Sequence, residues 1–362
     1  MTFAAPPSTS PLTSPASPLA ALLALAVERQ ASDLHLSAGL PPLLRIHGQL
    51  QPLDLAPLSP EAALALVHEM LTEPQRQTLA QELDVDSALD WPGLGRFRLN
   101  AFMHQRGPGA VLRRIASRVP TLAELGAPAL LADLALKPRG LVLVTGPTGS
   151  GKSSTLAAML GHLNAEQGGH VITIEDPIEF IHPPGRCLIH QRELGAHARS
   201  FAQALRAALR EDPDVILIGE LRDLDTIRLA LTAAETGHLV LATLHTASAA
   251  KTVDRLIDVF PAGDKELIRS MLSESLLAVV SQALVPAAAA GRVAAFELLL
   301  ATPAVRNLIR ENKVAQLYSV MQTGAAHGMH TLDQALAELV RKRRVIPEQA
   351  RRLARSPDNI PS

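Results

Sequence analysis

A glycine-rich segment in the middle of the chain has the residue types and spacing of a phosphate-binding loop. It matches the pattern GxxxxGK[ST] at every fixed position: Gly146, Pro147, Thr148, Gly149, Ser150, Gly151, Lys152 and Ser153, followed by Ser154. Glycines let backbone N–H groups turn toward phosphate oxygens, and the start of a helix adds a favourable dipole. Lys152 would supply a positive charge near the β- and γ-phosphates, and the Ser153 hydroxyl would bind Mg²⁺. The segment therefore predicts a nucleoside triphosphate site with Mg²⁺.

Two groups of carboxylates follow predicted strands downstream of this loop. Glu220 comes directly after an aliphatic run and a glycine, where a carboxylate can hold Mg²⁺ directly or through water. The second group, after the preceding strand, contains Glu175, Asp176 and Glu179, with Pro177 favouring a rigid turn over a helix. We expect one of these acids to orient the water that attacks the γ-phosphate.

A histidine follows the next predicted strand. The carboxyl ends of parallel strands lie at one edge of a sheet, so His245 should face the same crevice as the phosphate loop. There it would contact the γ-phosphate by hydrogen bonding. The other histidines show no spacing typical of a zinc site.

These residues lie on a pattern of alternating strands and helices. The pattern predicts strands at 141–145, 171–174, 215–218 and 239–243, with helices from Lys152, around 200–210 and from Asp223. Such alternation predicts an α/β fold with a parallel sheet and helices on both faces. After residue 264 the pattern is mostly helical, with one further strand at 292–298.

The first third of the chain has a different pattern. A proline- and serine-rich start predicts a disordered tail. The next part mixes helix and strand signals, including a helix that begins after Ser59 and neighbouring strands at 96–100 and 111–115. The predicted division is a tail at 1–18, a small α/β domain at 19–116, a linker at 117–138 and a core with the phosphate-binding loop at 139–362, helical from about 264.

Composition narrows the classes of function. The 362 residues carry 34 Lys+Arg and 35 Asp+Glu, a net charge of −1, and only 2% aromatics, which argues against a nucleic-acid binder. With Cys187 as the single cysteine, neither an intrachain disulfide nor a four-cysteine zinc site can form. The apolar run 19–27 is about half the length of a membrane span, and the first basic residue follows it, unlike in a signal peptide. We therefore expect a cytoplasmic protein without direct membrane insertion.

Taken together, these segments resemble the secretion-ATPase superfamily, and within it the PilT-type ATPases that retract type IV pili. The resemblance runs from about residue 31 to 345. Its segments are 31–39, 95–102, the acidic segment 174–179, the run 208–214 before the Walker B strand, the histidine segments 234–238 and 243–246, and 304–311. The resemblance implies a PAS-like N-terminal domain, a RecA-like P-loop core with a parallel sheet, and a helical C-terminal region.

The resemblance also implies roles for individual residues. Glu179, rather than Glu175, is expected to be the general base that orients the attacking water, and Glu220 the Walker B acid. Arginines of the N-terminal domain are expected to reach the γ-phosphate as fingers. The candidates are Arg98 and Arg113, with Arg96 behind them.

For the whole protein, the resemblance implies a homo-hexameric ring that binds ATP and Mg²⁺ between the N-terminal domain of one subunit and the core of its neighbour. Hydrolysis would power pilus retraction and twitching motility. The implied partners are an inner-membrane pilus platform protein and an accessory retraction ATPase, at the inner face of the cytoplasmic membrane.

Some positions depart from the family pattern. Ser154 replaces a threonine, Val305 an isoleucine and Phe296 a histidine. The segment 286–290 replaces a basic, glycine-rich one, and the proline-rich tail has no recognised counterpart.

Other functions remain open at this point. A pilus-assembly or type II secretion ATPase of the same superfamily is the nearest alternative, but these generally carry an additional N-terminal domain and a four-cysteine metal site. A PilU-type accessory ATPase is a further alternative, but the residues at 210–213 and 219–223 resemble PilT-type ATPases more closely. A RecA-like nucleic-acid translocase is the alternative from a different class. Such a protein needs basic residues to bind nucleic acid, and the only dense basic run in this sequence is 341–344. A scaffold that only binds nucleotide would not need both candidate catalytic acids.

Overall fold

A computed structural model describes residues 17–46, 48–115 and 118–362. The chain divides into two compact units, Met1–Ser117 and Arg118–Ser362. Of the predicted tail, only its last two residues are described: Ser17 caps the first helix and Pro18 starts it. The rest of the tail prediction lies outside the described residues.

The first unit contains one antiparallel sheet with helices packed against it. Its elements are α1 Pro18–Glu28, β1 Asp33–Ser37, β2 Leu43–Ile46, β3 Gln49–Pro52, α2 Pro60–Met70, α3 Glu73–Glu82, β4 Asp84–Trp91, β5 Gly95–His104 and β6 Gly107–Arg114. The sheet order is β3-β2-β1-β6-β5-β4, and its pairs are antiparallel. The strands β3 and β4 were not predicted from the sequence.

Alternation along β5 shows how the sequence builds this sheet. Phe97, Leu99 and Ala101 are buried in the unit's core, while Arg98 between them is exposed. Successive side chains of a strand point to opposite faces, so one face of β5 packs on the helices and the other carries the arginines. The helix predicted after Ser59 is α2, whose first turn is capped by the Ser59 hydroxyl.

The second unit contains the phosphate loop and the larger sheet. Its elements are α4 Leu130–Ala135, β7 Gly140–Thr145, α5 Lys152–Glu166, β8 Gly169–Glu175, β9 Cys187–Glu193, α6 Phe201–Ala208, β10 Val215–Ile218, α7 Leu224–Glu235, β11 Leu239–Leu244, α8 Ala249–Asp258, α9 Lys265–Ser275, β12 Leu276–Pro286, β13 Arg292–Leu300, α10 Pro303–Arg310, α11 Leu317–Thr323, α12 Leu332–Arg341 and α13 Pro347–Leu353, with 3₁₀ turns at Val314–Gln316, Gly324–His327 and Pro357–Asn359.

The larger sheet has the order β13-β12-β7-β11-β10-β8-β9. Its strands pair in parallel except at β13, which pairs antiparallel with β12. Every residue of β7, β10 and β11 is buried, as expected for strands covered by helices on both faces. The α/β core with a parallel sheet, the small N-terminal domain and the helical C-terminal part are thus all present.

The region after residue 264 is less helical than predicted. The strand predicted at 292–298 is β13, but β12 is a second strand that the sequence analysis missed. An uninterrupted apolar run such as 276–280 fits a buried strand and a buried helix equally well, and α9 directly before it favoured a helical interpretation. The edge strand β9 was also missed.

The segment predicted as a linker contains ordered structure. Helix α4 lies within 117–138, and its Leu131 and Leu134 are buried in the core of the second unit. No helix of the described ranges is long and apolar enough to span a bilayer.

Candidate functional site

The phosphate loop joins the end of β7 to the start of α5, as the sequence predicted. Two of its glycines are required by their surroundings. Gly146 has a φ of 142°, and a Cβ there would lie 2.3 Å from the backbone oxygen of Gln282. Gly151, at the start of α5, has a φ of 90°. Only glycine adopts these conformations without strain, so the loop's backbone can approach a ligand closely.

Lys152 is the first residue of α5, directly after this loop, and is buried. Its Nζ donates to the carbonyl oxygens of Gly146, at 2.9 Å, and Pro147, at 3.1 Å. Burial lowers the pKa of Lys152, while the carboxylates of Glu220 and Glu179 act in the opposite direction. Both predicted catalytic acids are therefore close enough to influence the charge of the phosphate-binding lysine.

The predicted residues at three strand ends meet at one edge of the sheet. Lys152 Nζ lies 3.4 Å from Nδ1 of His245, and Nε2 of His245 lies 3.3 Å from Glu220 Oε1. Glu220 Oε2 accepts a hydrogen bond from Nε of Arg222 at 2.8 Å. Since a protonated lysine only donates, Nδ1 is the acceptor, and the Nε2–H of the same ring then faces Glu220. His245 thus links the lysine of the loop to the Walker B position.

Glu179 and Glu175 have different surroundings. Glu179 is half-buried in the loop between β8 and β9. Burial raises the pKa of Glu175, an effect opposed by hydrogen bonds from Thr173 Oγ1, at 2.6 Å, and Gln191 Nε2, at 3.2 Å. A general base must be ionised and able to reach water. Glu175 meets this requirement poorly, because burial raises its pKa and its neighbours hold its carboxyl.

The donor set suits Mg²⁺ held together with phosphates. Ser153 is half-buried in the first turn of α5, and Glu220 is half-buried at the end of β10. A hydroxyl and a carboxylate are oxygen donors of the kind Mg²⁺ prefers, and this ion keeps phosphate and water ligands besides one or two protein groups. No group of three or more His, Cys, Asp and Glu residues suited to a metal occurs in the described ranges.

Gln282 lies on β12, the strand that the sequence analysis missed, and packs against the phosphate loop. It is buried, and its Oε1 accepts a hydrogen bond of 2.7 Å from Thr155 Oγ1 on α5. Its backbone oxygen faces Gly146, and its Nε2 is 2.8 Å from where a Cβ of Gly151 would lie. The only signal in the sequence was a polar pair, Ser281 and Gln282, within an apolar run.

Glu297 on β13 connects the starts of α8 and α12. Its Oε1 accepts from the backbone N of Ala249, at 2.7 Å, and its Oε2 from that of Leu332, at 3.1 Å. These residues start α8 and α12, so one buried carboxylate satisfies two helix N-termini. Burial raises the pKa of Glu297. The neighbouring Phe296, which departs from the family pattern, packs in the core.

The candidate arginine fingers lie in the first unit, on the face of the sheet described above. Arg98 on β5 is the cross-strand neighbour of Arg113 on β6. Arg113 Nε donates to Asp33 Oδ1 at 2.8 Å, and Asp33 is buried. Arg96 pairs with Asp90 at 2.8 Å. For Arg98, exposed to solvent, no hydrogen bond or ion pair occurs within the described ranges.

His182, in the loop that carries Glu179, gives a pH-dependent prediction. Burial lowers its pKa to about 4, and its Nδ1 has no hydrogen-bond partner among the described residues. The unfolded chain has a histidine pKa of about 6.5 and binds the proton first, so stability is lost as the pH falls from about 6.5 to about 4.

We expect the wild-type protein to lose about 2 kcal/mol of unfolding free energy between pH 7 and pH 5 that His182→Gln does not lose. Urea unfolding at the two pH values measures this difference. The control is His327→Gln, at an exposed position, which should follow the wild type. Equal losses in all three proteins would show that His182 does not titrate in this way.

Comparison with known proteins identifies relatives along most of the chain. The model of the family "Type II/IV secretion system protein" matches residues 16–352. The chain is 55% identical over 339 residues to the type IV pilus retraction ATPase PilT of Pseudomonas aeruginosa, covering 94% of this chain and 98% of that protein. It is 56% identical over 320 residues to a twitching motility protein of Neisseria gonorrhoeae, covering 88% and 86%.

A solved structure also resembles this chain along most of its length. The crystal structure of the pilus retraction motor PilT with bound ADP superposes with a TM-score of 0.87 at 44% identity, covering 93% of this chain and 96% of that one. The phosphate loop, the acids at the strand ends and the histidine beside them therefore occur in a chain that belongs to the Type II/IV secretion system protein family.

Proposed function

We propose that this protein is a PilT-type ATPase motor that hydrolyses ATP to retract type IV pili and so drives twitching motility. The observation that carries the proposal is the contact chain Lys152–His245–Glu220 at the edge of the parallel sheet. These contacts connect the phosphate loop after β7 to the carboxylate after β10 through the histidine after β11. An ATPase that responds to the γ-phosphate needs such a connection. The similarity to retraction ATPases over nearly the full length supports the same function.

The chemistry proposed for this site is positioning and charge neutralisation. The backbone of the loop and Lys152 would hold the phosphates, and Ser153 and Glu220 would hold Mg²⁺, which would neutralise phosphate charge when bound. Glu179 would orient the attacking water and accept its proton. His245, which contacts both Lys152 and Glu220, would register whether the γ-phosphate is present.

Movement would come from the assembly. We propose a homo-hexamer in which Arg98 or Arg113 of one subunit reaches the nucleotide of its neighbour. ATP can close such an interface only through its higher affinity for the closed state, and product release reopens it. The load would be an inner-membrane pilus platform protein, with the motor at the cytoplasmic face of the membrane and an accessory retraction ATPase as a further partner.

The alternatives have less support. The type II secretion protein HxcR of P. aeruginosa is 38% identical over 280 residues, and only 56% of its length is covered. The PilU ATPase of the same organism is 44% identical over 330 residues, less than PilT. A nucleic-acid translocase would need a basic surface, and this chain has a net charge of −1.

The proposal is tested by imaging labelled surface pili over time in cells whose only copy of this protein carries Glu179→Gln. A retraction motor that needs hydrolysis predicts abundant pili that no longer shorten. The control is Glu348→Gln, the same change at an exposed position of α13, where pili should extend and shorten normally. Cells without pili would indicate an assembly motor instead, and normal shortening with Glu179→Gln would contradict the proposal.

A further inference from the structure

The loop that carries Glu179 has little backbone support of its own. It runs from the end of β8 at Glu175 to the start of β9 at Cys187 and contains neither helix nor strand. Within the part of the chain that the structure describes, none of the backbone groups of residues 176–185 pairs with another backbone group. Buried and half-buried backbone groups need partners, so side chains must hold this loop.

Side chains of the edge strand β9 supply those partners. Glu193 Oε2 accepts a hydrogen bond from the backbone N of Ile178 at 3.0 Å. Gln191 Nε2 donates to the backbone oxygen of Phe180 at 2.8 Å, and Gln191 Oε1 accepts from the backbone N of His182 at 3.0 Å. Ile178 and Phe180 are the two residues that flank Glu179. The backbone is thus fixed immediately before and after the proposed base.

Packing adds to these hydrogen bonds. The side chains of Ile178 and Phe180 are 3% and 8% exposed, and Glu193 is 8% exposed. Both residues that flank Glu179 are thus anchored in the interior, and Glu179 between them is half-buried. The buried carboxylate of Glu193 and the buried side chains of Ile178 and Phe180 therefore hold the loop on both sides of Glu179.

The orientation of the Gln191 amide is set by its surroundings. Its Nε2 faces two acceptors, the backbone oxygen of Phe180 and the Glu175 carboxylate at 3.2 Å, while its Oε1 faces the N–H of His182. A flipped amide would place donor against donor and acceptor against acceptor. The Glu175 carboxylate also accepts from the backbone of Glu179 and from Thr173, so Gln191 completes a network that ends at the proposed base.

We infer that Gln191 and Glu193 are positioning residues for Glu179: by binding the backbone on both sides of it, they hold its carboxylate where it can orient the attacking water. The inference rests on the proposed function, in which Glu179 is the base. Neither residue touches the nucleotide in this role. Misplacement of a catalytic group by about 1 Å can cost about a hundredfold in rate, so the effect is on turnover and not on binding.

The main test is Gln191→Leu, which removes all three side-chain hydrogen bonds of Gln191 at nearly constant size. We expect kcat for ATP to fall by about 10- to 100-fold, with the affinity for ADP changed by less than about twofold. The matched control is Leu188→Ala on the same strand, at a side chain that is 57% exposed; its kcat should stay at the wild-type value. A loss of ADP affinity as large as the loss of kcat would contradict a positioning role.

Glu193 provides an independent pair of variants, in case Gln191→Leu does not fold. Glu193→Gln retains an acceptor for the Ile178 N–H, and its kcat should remain within about threefold of the wild type, whereas Glu193→Leu should lose about tenfold or more. Thermal unfolding of each variant establishes that it is folded. Equal losses in both variants would overturn the role of this hydrogen bond.

A double-mutant cycle separates positioning from general stability. If Gln191 acts through Glu179, adding Gln191→Leu to Glu179→Gln should lower kcat by no more than about twofold further. If Glu179→Gln alone has a lowered kcat and the double variant loses the product of the two single losses, the positioning role is overturned and the proposed base is kept. If Glu179→Gln alone has wild-type kcat, the base assignment in the proposed function is wrong, and the inference falls with it.

Discussion

Glu179→Gln is expected to lower ATP turnover by about a thousandfold and to leave the affinity for ATP within about threefold of the wild type. The amide is nearly isosteric with the carboxylate but cannot accept a proton. Glu179 is half-buried and close enough to act on the charge of Lys152. The P-loop contacts that would bind the phosphates do not involve it. Phosphate release in a single turnover, together with binding of a fluorescent, non-hydrolysable ATP analogue, measures the two quantities separately.

Glu175→Gln is the comparison that makes this result specific. The change is identical and only four residues away, but the Glu175 carboxyl is held by Thr173 and Gln191. Both donors contact the same oxygen, Oε1, which the amide oxygen of glutamine can replace, so we expect a loss of no more than about tenfold. A larger loss in Glu175→Gln than in Glu179→Gln would exchange the two roles.

The phosphate loop and its sheet could be predicted from the sequence because their signals are local. The glycine pattern, the flanking strand and helix, and the acids after consecutive strands all lie within short windows. The prediction that His245 reaches the site used only the rule that parallel strands end at one edge, and His245 does contact Lys152 and Glu220 there.

The supporting residues could not be predicted because their partners are distant in the sequence. Gln282 contacts Thr155 across 127 positions, and Glu297 contacts Ala249 across 48. Neither contact follows from a local pattern, and interpreting β12 as helix also removes the position of Gln282 beside the phosphate loop. Gln191 and Glu193 were missed with β9, whose alternation of buried and exposed residues is irregular.

The choice between the two arginines also required the structure. On the sequence, Arg98 and Arg113 are equivalent polar positions of two strands. In the fold, Arg113 is bound to Asp33, which lies 80 positions away and is buried, while Arg98 shows no partner in the described ranges. An arginine already committed to a buried carboxylate is a poorer finger, so we expect Arg98 to act on the γ-phosphate.

Arg98→Ala is accordingly expected to lower ATP turnover by about a thousandfold or more, the range of a lost arginine finger, at unchanged thermal stability. Arg113→Ala should instead destabilise the first unit by about 1–3 kcal/mol, because the buried Asp33 would keep Ser32 Oγ, at 2.8 Å, and Arg45, at 3.7 Å, but lose the hydrogen bond from Arg113. Turnover and thermal unfolding of both variants test this division. Unfolding of Arg98→Ala at a lower temperature, with Arg113→Ala unaffected, would reverse the assignment.

Mixing inactive subunits shows whether the finger acts on a neighbour. Arg98→Ala keeps an intact phosphate loop, and Lys152→Ala, expected to be inactive for loss of the phosphate-binding charge, keeps an intact Arg98. In mixed rings, about a quarter of the interfaces would combine the intact loop of one subunit with the intact finger of the next, so ATPase activity should reappear. Arg98 and Lys152 belong to different units of the chain. If Arg98 instead completed the site of its own subunit, no mixture would contain a complete site, and the activity would stay at the level of the separate variants.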